Sequence, residues 1–177
     1  MKVISIGTDK KMFEEGSPVR NRQIEYGKLF ERLDIIVINR RGKAFDQQLS
    51  ENVFAHSTPS SLGAFKVASK ISKGAVISTQ DPFETGIIGV LLKMKFGIPL
   101  HAQLHTDFNN KYFIKHSFLN FIRFFLAHIV LPYADAVRVV SKKVGESIKD
   151  LNENVTVLPI KVEFKDGKIE RSKDLDR

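Results

Sequence analysis

No cysteine occurs among the 177 residues, which excludes disulfide scaffolds, thiolate metal sites and cysteine nucleophiles together. Long apolar runs are also missing. The longest charge-free apolar run, residues 124–134, contains His128 and Pro132 and falls well short of the ~20 residues a bilayer-spanning helix needs. At the N-terminus only residues 3–6 are apolar, too few for a signal-peptide core, and a cytoplasmic protein is expected. Neither G-x-G-x-x-G nor G-x-x-x-x-G-K-[ST] occurs, so a self-contained dinucleotide or P-loop enzyme is not expected. There is no fixed-period repeat and no low-complexity tract.

What is present is globular in kind: 42% apolar and 27% charged residues, with length enough for one well-buried domain. Lys and Arg total 28 against 20 Asp and Glu, a balance of +8. That suits partners carrying phosphate or an anionic membrane surface and leaves fold undetermined; a nucleic-acid partner is not expected.

Strand and helix patterns alternate along the chain. Short apolar, often β-branched runs occur at residues 3–6, 34–38, 52–56, 75–78, 98–104, 136–140 and 155–158. Between them lie helical patterns: one opened by Ser17-Pro18 and running to about Leu33, one capped by Ser60 or Ser61, one over residues 83–96 stopped by Gly97, a long one over residues 111–131, and one opened by Ser141. In the third, Gly86 and Gly89 would let the backbone approach a sheet closely. This alternation predicts an α/β, doubly wound, Rossmann-like fold with a mostly parallel sheet of about seven strands and the first strand central. Residues 1–160 form the expected domain. From Lys161 the composition shifts; residues 162–169 suggest a hairpin around Asp166-Gly167, and 161–177 read as a linker or a cut end.

Ligands of such sheets bind beyond the carboxyl ends of the strands. The residues there are Gly7-Thr8-Asp9, Asn39-Arg40, His56-Ser57, Gln80-Asp81, His105-Thr106-Asp107 and Ser141-Lys142, a polar rim. His105 stands out because a neutral imidazole at a strand end donates a hydrogen bond to a hydroxyl or phosphate, and Asp107 two residues on could fix its tautomer. His101, His116 and His128 lack that context. No metal site is expected: His101 and His105 are four apart but on a strand, and Asp174 and Asp176 sit in a charged tail. A Phe-rich helix is the other unusual segment, with Ile114, Phe118, Phe121, Phe125 and Ile129 in one stripe and Leu119, Ile122, Leu126 and Val130 in the next. An arc this wide suits a core helix under a sheet. Its start, Lys111-Tyr112-Phe113-Ile114-Lys115, also suits an anionic membrane or a lipid-linked substrate.

Gln80-Asp81-Pro82-Phe83-Glu84-Thr85-Gly86, Gly97-Ile98-Pro99-Leu100 and Gln103-Leu104-His105-Thr106-Asp107-Phe108 together resemble the N-terminal domain of retaining glycosyltransferase family 4. Ala134-Asp135-Ala136-Val137-Arg138-Val139-Val140-Ser141 is similar to that family's AD-x-V-x-x-VS stretch, and Val157-Leu158-Pro159 to its closing strand. The resemblance implies one half of a two-domain GT-B fold. Its partners would be a nucleotide-sugar donor, held mainly by a C-terminal domain, and a glycan or lipid-linked acceptor; no cofactor is implied. His105 would line the donor sugar as the catalytic residue. The loop from Gly7 to Arg20 would approach the donor phosphates, with Thr106 and Ser141 also on the donor side, and Gln80, Asp81, Glu84, Asp107 and Arg138 would face the acceptor. That loop lacks the family's frequent paired glycines, and no two glutamates match the E-x7-E of its C-terminal domain. The chain is therefore expected to be the acceptor half of a sugar transferase, cytoplasmic and in part peripheral on the membrane. The alternative is a non-catalytic Rossmann-like module binding an anionic ligand or a membrane.

Overall fold

The computed structural model describes residues 1–159. The hairpin and tail expected beyond Lys161, with Asp174 and Asp176, lie outside the described residues. Eight strands form one sheet: β1 (Lys2–Gly7), β2 (Arg32–Ile38), β3 (Phe45–Ser50), β4 (Val53–Thr58), β5 (Ala75–Thr79), β6 (Leu100–Leu104), β7 (Ala136–Val139) and β8 (Val155–Val157). Their order is β3-β4-β2-β1-β5-β6-β7-β8, all parallel except β3, which pairs antiparallel with β4 at the edge. β1 is central, with β2 and β4 on one side and β5 to β8 on the other. The chain thus reverses its direction of travel across the sheet between β1 and β5, which opens a crevice at their carboxyl ends.

The helices are α1 (Pro18–Gly27), α2 (Ser61–Ile71), α3 (Glu84–Phe96), α4 (Lys111–His116), α5 (Phe118–Tyr133) and α6 (Lys142–Glu146). Ser17 and Ser60 cap α1 and α2 through their hydroxyl oxygens, and Gly97 ends α3 in the left-handed conformation at φ 64°, where a Cβ would be strained. One sheet face, with Ile4, Ile36, Ile77, Leu100 and Val139, is covered by α2, α3, α5 and the segment from Val144 to Ile148. On the other, Val3, Leu33, Ile35, Val53 and Ala55 pack under Met12, Phe13, Val19 and Phe30. Among the described residues that second cover reaches only the β1-β2-β4 half. Over β5 to β7 the same face carries Ser78, His101, Gln103 and Arg138, all half-buried.

Four expectations change. The sheet has eight strands: residues 45–50 form an edge strand whose outer positions are solvated and polar, so the apolar pattern of a buried strand is missing. The first helix stops at Gly27 rather than Leu33; Leu29 is 76% exposed and Leu33 lies in β2. A Cβ on Gly27 would meet Val53 Cγ2 at 2.1 Å, so the helix end docks on β4. The long helix is two: Ser117, extended at φ −160° and ψ 156°, ends α4 and caps α5 by accepting from Asn120 N–H at 3.1 Å. And α5 is not a core helix: it buries Ala127, Val130 and Leu131 and leaves the Phe118–Phe121–Phe125–Ile129 stripe outside.

Gly89 is where α3 approaches the sheet, since a Cβ there would lie 2.6 Å from Leu100 Cδ1 and 2.9 Å from Thr79 Cγ2. Gly86 faces α5 instead, at 2.8 Å from Val130 Cγ1. Gly89→Ala overpacks this junction and is expected to cost about 1–3 kcal/mol, read as a lower urea midpoint at unchanged slope.

Candidate functional site

The site is built around the β1/β5 crevice. Gln80, just past β5, donates its backbone N–H to Ile6 O at 2.9 Å, and its side-chain Oε1 accepts from Thr8 N–H at 2.9 Å. A Cβ on Gly7 would lie 2.4 Å from that Oε1, so only glycine lets the Gln80 amide lie against the end of β1. Gly7 and Gln80 are therefore brought together, with Gln80 exposed at the rim. Gly7→Ala is expected to push Gln80 off Thr8, a loss of about 1 kcal/mol for one hydrogen bond, visible as faster amide exchange at Thr8. Asp9 caps the following 3-10 turn, accepting from Lys11 N–H at 3.0 Å. Arg20, in the first turn of α1, has a buried Nη1 with no hydrogen-bond partner among the described residues. It is a donor without an acceptor, but no described hydrogen bond or ion pair links it to the rest of the rim.

Asp81 and Glu84 serve the β5–α3 turn. Asp81 Oδ1 accepts from Phe83 N–H at 2.8 Å, and Thr85 Oγ1 donates to Asp81 O at 3.0 Å. Burial, aided by the charge of Glu84, pushes the Asp81 carboxyl above its ordinary value despite these bonds. Glu84 is bridged by Arg123 of α5 at 3.3 Å and by Arg40 of the β2 loop at 3.6 Å. Its carboxylate is thus neutralised and pins three elements behind the rim.

His105 follows β6 and is exposed. Burial of the ring's inner side and the charge of Arg138 hold its imidazole below the ordinary value, so it is neutral near pH 7. The pairing expected with Asp107 is not made. Asp107 faces Lys143 at 3.8 Å, and no hydrogen bond among the described residues joins it to His105. The charged neighbour of His105 is Arg138, one strand over. Arg138 Nη1 donates to Gln103 Oε1 at 3.1 Å, Nη2 to Leu158 O at 3.4 Å, and its buried Nε has no described partner. Thr106 is exposed beside His105. Fully buried Phe108 anchors the loop, its ring 6.4 Å from Phe83 and 5.5 Å from His128. Ser141 caps α6, accepting from Val144 N–H at 3.3 Å.

One part of the site escaped sequence reasoning. Ser78 Oγ is 3.1 Å from His101 Nδ1 and accepts from Gln103 Nε2 at 3.3 Å, and Gln103 continues to Arg138. This polar string crosses the open half-face from β5 to β7. Its signal was period two: His101, Gln103 and His105 alternate with apolar residues on one strand, so they share a face. Conversely, His56 is not a rim residue. Strand β4 runs on to Thr58, so His56 is buried inside it, with Nδ1 2.7 Å from Asp46 Oδ1 and Nε2 3.0 Å from Asp34 Oδ1. Among the described residues no cluster of three His, Asp or Glu side chains could hold a metal ion. A concavity of about 460 Å³ beside α6 and β8, lined by Lys142, Glu146, Lys149 and Glu153 among others, contains none of Gly7, Gln80 or His105.

A central β1, a β1/β5 crevice and a mostly parallel eight-stranded sheet define a Rossmann-like α/β domain consistent with one half of a GT-B fold. No known family profile matches the chain. No curated protein matches it either. Solved structures do. HepE (Alr3699) of Anabaena in complex with UDP and glucose superposes with a TM-score of 0.59 at 13% identity, over 90% of this chain and 44% of that one. UGT2 of Phytolacca americana, complexed with UDP-2-fluoro-glucose and pterostilbene, gives 0.56 at 11%, over 95% and 54%. A UDP-N-acetylglucosamine 2-epimerase gives 0.52 at 13%, over 89% and 47%. The chain spans about half the length of these structures, and at such identities the likeness is one of fold.

Proposed function

We propose that this chain is the N-terminal half of a retaining, family 4-type glycosyltransferase that moves a sugar from a nucleotide-sugar donor to a glycan or lipid-linked acceptor. The observation that carries this reading is the rim itself: a neutral His105 beside Arg138, next to the β1/β5 crevice, on a fold half shared with structures solved with UDP and UDP-sugar. A neutral imidazole donates from one nitrogen to a sugar hydroxyl without adding charge, while Arg138 supplies positive potential toward developing anionic oxygen. Gln80, its side-chain carbonyl held by Thr8, has amide N–H groups with no described partner at the rim. Glu84 and Asp107, each facing cations, act as supports rather than as bases. The domain boundary near residue 160 and a cytoplasmic, membrane-peripheral location belong to this proposal.

The test is a donor screen on the chain supplied with a second, nucleotide-sugar-binding α/β domain, with product anomers assigned by NMR. Transfer with the donor's anomeric configuration kept supports the reading. Conversion of UDP-N-acetylglucosamine without any acceptor would place the protein with the epimerases instead. The 177-residue chain alone is expected not to turn over, because transfer requires donor and acceptor held in one site.

A further inference from the structure

Helix α5 is apolar on its solvent side as well as on the side it packs, with Ala127, Val130 and Leu131 buried. Its solvent side is Phe118, Phe121, Ile122, Phe125, Ile129 and Tyr133, from 38% to 78% exposed, whereas such a face is ordinarily polar. Its polar residues Asn120, Arg123 and His128 are half-buried at the flanks. Phe121 stacks on Phe118 at 6.4 Å and meets Phe125 edge-on at 4.9 Å, so the rings form one continuous strip. Alongside, α4 exposes Lys111, Lys115 and Tyr112, the last 72% exposed.

Charge distinguishes between occupants. Helices α4 and α5 carry three cations, Lys111, Lys115 and Arg123, and no carboxylate; Arg123 is paired with Glu84, so Lys111 and Lys115 give this face its charge. A second copy of the chain docking on this face would set these cations against one another. A domain lying across the rim would not cover the strip either. Connecting parallel β6 and β7, α5 runs back along the sheet, and its outer side faces away from the sheet rather than along the strands. An anionic lipid surface meets both features: its headgroups attract lysines, and aromatic rings settle at the headgroup level. At 16 residues α5 is too short to cross, and no described helix is long and apolar enough to do so. We infer that the outer face of α5, with Lys111, Tyr112 and Lys115 of α4, lies flat in the interface of an anionic membrane, as interfacial amphipathic helices do. This gives the membrane-peripheral location of the proposed function its surface and rests on that part of the reading, while vesicle binding tests it apart from sugar transfer.

The chain has no tryptophan, so Phe125→Trp supplies a sole tryptophan whose emission is read apart from that of the tyrosines. On adding phosphatidylglycerol vesicles its emission should shift to the blue, and the full chain should co-sediment with them. Phosphatidylcholine vesicles should do neither. Phe121→Ser and Phe125→Ser should each weaken binding roughly tenfold or more, the consequence of withdrawing one large side chain from the apolar phase. Lys111→Gln and Lys115→Gln should each weaken it roughly fivefold, and raised salt should do likewise. All four side chains are exposed, and unchanged circular dichroism would verify the fold. Absence of binding to phosphatidylglycerol vesicles, equal binding to both lipids, or full binding by the serine variants overturns the inference. So does self-association of the chain through this face with no vesicle binding.

Discussion

On the proposed glycosyltransferase reading, replacing His105 by alanine is expected to lower the transfer rate by about 10²–10³-fold, or about 2.7–4 kcal/mol, the size measured when one donor to a developing oxyanion is removed. Stability should be untouched, because His105 is exposed and makes no described hydrogen bond whose loss would orphan a buried group. His105→Asn, which keeps an N–H donor, should recover part of the rate. The burial and the Arg138 charge that hold the imidazole below its ordinary value keep the ring neutral through the physiological range. Arg138→Met should therefore let the imidazole titrate higher, moving the acid limb of the rate profile upward in pH. A variant that melts lower yet turns over normally would make His105 a structural residue.

Asp34→Ala should lower the melting temperature by on the order of 10 °C, from a cost of about 3–5 kcal/mol for breaking a buried ionic cluster and about 2–4 °C per kcal/mol at this size. Asp34 is 3% exposed, takes a bidentate pair of bonds from Arg32 at 2.7 and 2.9 Å, and takes a third from His56 at 3.0 Å. Without it both cations lose their buried partner. Burial alone would push the His56 imidazole down, but its bonds to Asp34 and Asp46 outweigh burial and leave it raised. Burial likewise opposes ionisation of Asp34, yet His56 and Arg32 hold its carboxyl below the ordinary value. The signs follow from linkage. The His56 contribution is fully present below its unfolded value of about 6.5 and fades as pH rises through the raised folded value. The Asp34 contribution is present above its unfolded value of about 3.9 and fades as pH falls through the lowered folded value. Asp46 adds less, its side chain being 78% exposed and its charge screened by water. Urea midpoints across the neutral range should decline with rising pH, and His56→Asn should flatten that decline. A slope that survives the substitution would assign it to other groups.

Much of the architecture is legible in the sequence. Residues 34–38 are nearly all β-branched and apolar, which only a strand buried on both faces tolerates, and β2 is buried on both faces from Leu33 to Ile38. Ser17-Pro18, Ser60 and Gly97 marked helix ends because capping is local chemistry. The rim was legible too, since parallel strands place all their carboxyl ends on one edge: Gly7, Gln80 and His105 lie there. What failed was side-chain pairing. Asp107 is near His105 in sequence but faces Lys143, and Arg138, 33 positions away by number, supplies the charge His105 feels. His56 looked like a strand-end residue because the polar Ser57 and Thr58 hid the continuation of β4.

The sequence by itself determined the alternating α/β order and the absence of thiol chemistry. Each follows from local propensity, hydrophobic period or composition, which need no distant partner. Only the tertiary structure decided three things. It closed the Ser78–His101–Gln103–Arg138 string across three strands. It buried the Asp34–His56 pair between two others. And it turned the Phe118–Ile129 stripe outward. The last shows the reason best. With both stripes of α5 apolar, its period sets a wide apolar arc but not which side meets the sheet. That choice fell to the small and branched residues Ala127, Val130 and Leu131, because Gly86 of α3 leaves room for Val130 at 2.8 Å from where a Cβ would stand, a close approach the bulky phenylalanines would not allow.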